Sequence, residues 1–82
     1  MAFYYVDRSG VVRLGRVHGP DTIKLETGEV LPDPPPDGQL FSTEVAALKF
    51  SELIRLTNGN MKAALRMHQE WVLQRGQIRR KR

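Results

Sequence analysis

Between Pro32 and Gly38 the chain reads PDPPPDG, and no helix or regular sheet ladder runs unbroken through such a stretch. Each proline fixes φ near about −65° and removes a backbone donor. The run therefore divides the 82 residues into two parts that must be built differently. The hydrophobic period also changes across it.

Before the prolines the period is two. The segment FYYV is aromatic and β-branched, DRSG is turn chemistry, and VVRLGRV resumes a partial alternation. Val12 and Leu14 face one way and Arg13 the other, with a bulge expected at Gly15. HGPD makes the next turn. TIKLETGEVL reads as a hairpin in which Ile23 and Leu25 alternate with Thr22, Lys24 and Glu26 around Thr27-Gly28. Tyr4 and Tyr5 alternate across their strand, so one of them is expected to face solvent near Arg13.

After the prolines the period is helical. Ser42 or Thr43 is the expected N-cap, and Glu44 meets the positive end of the helix dipole. Val45, Ala46, Phe50, Leu53, Ile54 and Leu56 are read as the apolar face, with Glu44, Ser51, Glu52 and Arg55 opposite. Asn58 and Gly59 suit a left-handed C-terminal cap, and Asn60 can cap a second helix from Met61 to Arg75, with Gly76 as its stop. Its core face is Met61, Ala64, Leu65, His68, Trp71 and Val72, with Arg66 and Glu70 spaced as an i,i+4 ion pair.

The fold class expected is therefore α+β, in one small domain. It comprises an N-terminal antiparallel sheet of three or four strands over 1–31, a Pro-rich connector over 32–39, a helical pair over 42–76 and a basic tail over 77–82. The connector is read as a semi-rigid extended spacer. Pro32 and Pro35 meet a minimal PxxP spacing, but acidic neighbours and the lack of a flanking arginine favour the spacer.

Composition narrows the chemistry. The chain has no cysteine, which removes disulfides and thiolate metal sites. The first ten residues hold an acid and an arginine and no long apolar run, so neither a signal peptide nor a membrane span is expected, and a cytoplasmic location is. His18 and His68 fall in separate elements, with no carboxylate at metal-ligand spacing. Ser9, Ser42 and Ser51 have sufficient readings in a turn, a cap and a polar face, and the glycines punctuate turns. The reading is a non-enzyme with no cofactor and no small-molecule substrate.

Charge carries the functional reading. Residues 1–41 hold four basic groups against six acids, whereas residues 42–82 hold nine against three. Such asymmetry points to a polyanion or an acidic protein surface. Lys62 and Arg66 project together from the second helix, and QIRRKR follows Gly76. Lys62, Arg66, Arg75, Arg79, Arg80, Lys81 and Arg82 are the expected phosphate contacts, since neutralised phosphates release counterions.

The stretch LTNGNMKAALRM resembles the start of the helix-turn-helix of Fis-type DNA-binding proteins, where a GN cap precedes an alanine-rich helix. The resemblance ends at His68-Gln69-Glu70-Trp71, which continues the helix, and no functional residue is carried over. The expected function is a small regulatory protein, acting in transcription or a related process, that binds DNA, RNA or a nucleic-acid-processing complex, with a homodimer as one form. The alternative is a protein-binding inhibitor or adaptor of a phage or other mobile element, docking on host machinery.

Overall fold

The computed structural model describes residues 2–80, with side chains for residues 2–75. Its elements are β1 (Ala2–Asp7), β2 (Val12–Gly19), β3 (Thr22–Leu25), β4 (Val30–Pro32), β5 (Gly38–Phe41), α1 (Glu44–Leu56) and α2 (Met61–Arg80). The strands form one antiparallel sheet in the order β4-β3-β2-β1-β5. The sheet thus has five strands, one more than the longest sequence-based expectation.

Strand β1 pairs with β2 on one side and β5 on the other. Successive side chains of a strand point to opposite faces, and both faces of β1 are covered. Val6 (fully buried) joins Ala47, Phe50, Leu53, Ile54 and Ala64 in a core beneath the helices. Tyr5 joins Ile23 and Leu25 in a second core on the other face, with Phe3, Leu31 and Leu40 packed against it. Tyr4 is half-buried against the helical core, so neither tyrosine is the freely exposed one expected beside Arg13.

Leu31 belongs to one edge strand and Leu40 to the other, yet both pack on the same small cluster. The sheet is therefore curled, bringing its two edges around the second core. The proline stretch makes this possible in a way that an extended spacer would not. Pro32 pairs with Thr22 inside β4, the Asp33 amide donates to the Asp21 carbonyl at 2.9 Å, and Asp33-Pro34 is cis. Pro35 is buried. Gly38 then opens β5, and a Cβ there would collide with the Tyr5 ring. The connector expected over 32–39 is thus part strand and part tight turn.

Gly15 sits in regular register between Phe3 and Leu25. The bulge expected there lies instead between Val17 and Gly19. Gly15 is needed for space, since a Cβ would meet the Phe3 ring at 2.9 Å.

The helix boundaries follow their caps. The Thr43 hydroxyl accepts from the Ala46 amide at 3.3 Å, and Asn58 and Gly59 both have positive φ (56° and 82°). The Asn60 side chain accepts from the Ala63 amide at 3.1 Å. The buried face of α1 differs from the expected one by a partial rotation. Ala47, Phe50, Ser51, Leu53 and Ile54 are buried, while Val45 and Leu56 are exposed. Ser51, read as part of a polar face, donates its hydroxyl to the Gly10 carbonyl. That bond ties α1 to the β1–β2 turn and satisfies the buried hydroxyl.

Asp7 organises this turn. Its carboxylate accepts from the Ser9 amide (2.9 Å), the Ser9 hydroxyl (2.6 Å) and the Val11 amide (3.1 Å). Burial raises its pKa, but the Ser9 and Val11 bonds and the charge of Arg13 outweigh that, leaving it below the usual carboxylate value. On the other face, burial and then the charges of Asp7, Asp37 and Glu29 push the Tyr5 phenol up.

Two outcomes follow for stability. Gly38→Ala should cost about 1–3 kcal/mol or more by overpacking against Tyr5, read from denaturant melts; an unchanged midpoint would show that the sheet closes differently. A lowered folded-state carboxyl contributes stability that is present above the unfolded value of about 3.9 and is lost as pH falls through the folded value. Asp7→Asn should therefore cost about 1 kcal/mol at neutral pH, with the deficit disappearing in strong acid.

Candidate nucleic-acid interface

Helix α2 holds five of the seven basic residues assigned to phosphate contact, and they do not share one environment. Lys62 and Arg66 are exposed one turn apart. With Leu65, His68, Gln69 and Val72 they line a shallow groove along the helix. The ion pairs among the described residues are Arg8–Asp37 at 3.5 Å and Lys49–Glu52 at 3.4 Å. The expected Arg66–Glu70 pair is not formed, so both groove cations face solvent.

Arg75 is placed differently. Its guanidinium carbon lies 4.8 Å from the centre of the Trp71 ring. The Lys49 ammonium approaches the same ring at 5.9 Å. Trp71 is half-buried, so it neither seals the core, as the sequence suggests, nor stands fully exposed as an anchor. It attracts two cations through its ring quadrupole.

His68 fills the place beside it. The ring is buried at 7% exposure, and Nε2 donates to the Ala46 carbonyl at 2.9 Å. It contacts Phe41 at 4.9 Å, Trp71 at 5.3 Å and Phe50 at 5.8 Å between ring centres. With Nε2 held by a carbonyl and the ring enclosed by aromatics, His68 is a structural residue joining α2 to α1 and β5.

Gly76 does not stop α2, which continues to Arg80. Glycine in a helix interior costs about 1 kcal/mol relative to alanine, but no proline follows, and Gln74, Arg75, Gln77 and Arg79 are good helix formers. Part of the expected tail is therefore helix. Arg79 and Arg80 belong to it by their backbone, while Lys81 and Arg82 lie outside the described residues.

Counting charge by sequence halves concealed another basic pair. Arg16 and Lys24 are direct cross-strand partners in β2 and β3, and both are exposed. They line a groove with Ala2, Leu14, His18 and Glu26. The alternation around Ile23 and Leu25 already put Lys24 outside the core. What sequence reading lacked was the register that sets Arg16 opposite it.

Among the described residues, no three His, Asp or Glu side chains come together as a metal ion would need. No helix among the described residues is long and apolar enough to cross a membrane.

Lys49→Ala and Arg75→Ala should each lower stability by about 0.5–1 kcal/mol through the lost cation–π contact. Thermal melts, with Trp71 fluorescence as the probe, check this; no change in either variant would mean that the ring holds neither cation in solution.

No family model, no curated protein and no solved structure matches the chain, so its own geometry carries the functional reading.

Proposed function

We propose that this chain is a small, non-enzymatic regulatory protein that binds nucleic acid, or a nucleic-acid-processing complex, through helix α2 and the basic segment that continues it. The observation that carries the reading is the exposure of Lys62 and Arg66, one turn apart and unpaired among the described residues. They lie on a helix that runs without interruption to Arg80. A helix offering successive basic residues can follow a phosphate backbone, which supplies affinity and position but no base reading. Arg75 contributes from its seat on Trp71, and Arg79, Arg80, Lys81 and Arg82 extend the positive charge.

A protein-binding adaptor is the second reading, and a specific observation favours it. Val72 (48% exposed) and Leu73 (64%) stand exposed on α2, as do Val45 (56%) and Leu48 (53%) on α1. Exposed apolar side chains on neighbouring helices suit a host protein or a second copy of this chain.

Deleting residues 79–82 separates the readings. Each phosphate contact adds about 0.9 to the salt slope on duplex DNA, so the truncation should flatten that slope by up to about three or four units. Charge reversal at Lys62 and Arg66 should weaken binding further. Affinity measured across a salt series, on duplex DNA and single-stranded RNA, is the readout. If the full chain fails to bind near physiological salt, or the slope is unchanged by truncation, the nucleic-acid reading is wrong. An adaptor would retain most of its affinity for a protein partner and lose association rate.

A further inference from the structure

Arg16 and Lys24 are directly opposite one another on paired strands, and directly opposed residues share a face of the sheet. Like charges so placed oppose folding. No acid among the described residues forms an ion pair with either. Glu26, which lines the same groove, has its Oε2 accepting the Leu14 amide at 3.2 Å. Glu26 keeps its charge in that bond but makes no ion pair with either cation, so an external anion would relieve the repulsion that remains.

The path of the helices places this pair at a particular end of the molecule. Helix α1 runs toward the β1–β2 turn, where Ser51 and Arg55 donate to the Gly10 carbonyl and Gly59 lies beside Arg8. Helix α2 then returns, reaching Phe41 with His68. Phe41, Tyr4 and Leu14 form one cross-strand row on the helix-covered face of the sheet. The row Ala2, Arg16, Lys24 and Val30 lies on that same face, one side-chain repeat nearer the start of β1. Beyond His68, α2 therefore runs toward the end of the sheet that carries Arg16 and Lys24, starting from edge strand β5, which β1 separates from β2.

We infer that Arg16 and Lys24 form a second phosphate-contact site, over which a nucleic-acid backbone held along α2 continues onto the sheet. The inference rests on the nucleic-acid reading of α2 and adds to it a surface in the half of the chain whose formal charge is negative. The exposed neighbours Leu14 (44%) and Val30 (47%) are apolar, and the polar His18 and Glu26 line the same groove. The contact assigned to Arg16 and Lys24 is to the phosphate backbone, which positions a nucleic acid without reading its sequence.

The test compares R16A/K24A with K62A/R66A in the full chain, on duplex DNA and single-stranded RNA across a salt series. Removing the sheet pair should flatten the duplex slope by about two units, and the single-strand slope by roughly 1.5. Circular dichroism should stay native and Tm should not fall, because a repulsion has been removed. The charge-conserving R16K/K24R variant should bind as the parent does. An unchanged slope in R16A/K24A, with a flattened one in K62A/R66A, would overturn the inference and leave the α2 reading standing. Absence of binding by the parent chain would remove both. Polyglutamate of matched charge competing as well as nucleic acid, with the same sensitivity to R16A/K24A, would assign the pair to an acidic protein and overturn the phosphate site.

Discussion

Burial of two consecutive residues of β1 is the constraint on which the architecture depends. Tyr5 is 6% exposed and Val6 fully buried, and they point to opposite faces. A strand covered on both faces needs a layer on each. The helical pair supplies one, and the sheet curling back on itself supplies the other. Neither core is large, since one centres on Tyr5, Ile23 and Leu25 and the other on six buried residues around Phe50. Their sharing of β1 means that a register slip of one residue would exchange their contents. The Asp7 turn and the Ser51–Gly10 bond fix the β1–β2 turn that guards against such a slip.

Much of this was legible where a local rule has a strong physical cause. Thr43, Asn58, Gly59 and Asn60 mark the helix boundaries because capping is settled within a few residues. Ile23 and Leu25 were readable as core because alternation has few competing explanations. Strand β5 was not readable. GQLF is four residues following a proline run, and its identity as a strand comes from pairing with β1, a contact distant in sequence. The rotation of α1 escaped for a related reason. Val45 and Leu56 are apolar but lie where neither α2 nor the sheet reaches, while Ser51 is buried because a carbonyl from the β1–β2 turn meets it. Gly76 was misread because glycine disfavours a helix interior without forbidding it.

The candidate interface was half legible. Lys62 and Arg66 were identified by spacing alone, since residues four apart on a helix project together. The engagement of Arg75 with Trp71 depends on side-chain rotamers that spacing does not determine. Nor could the Arg16–Lys24 pair be seen in a sum over sequence halves, which averages charge along the chain when the surface is organised by register. Formal charge and the charge offered to a partner are therefore different quantities in this molecule.

Stored repulsion between Arg16 and Lys24 has a consequence for how the protein responds to its medium. Added salt screens exposed charges over a Debye length of about 8–10 Å at ordinary ionic strength. Screening lowers the cost of holding the two cations side by side, so this part of the sheet gains stability as salt rises. The same salt weakens any attraction between that pair and an anionic partner. The ionic environment thus acts in opposite directions on the endurance of this corner of the sheet and on any attraction of an anion to it.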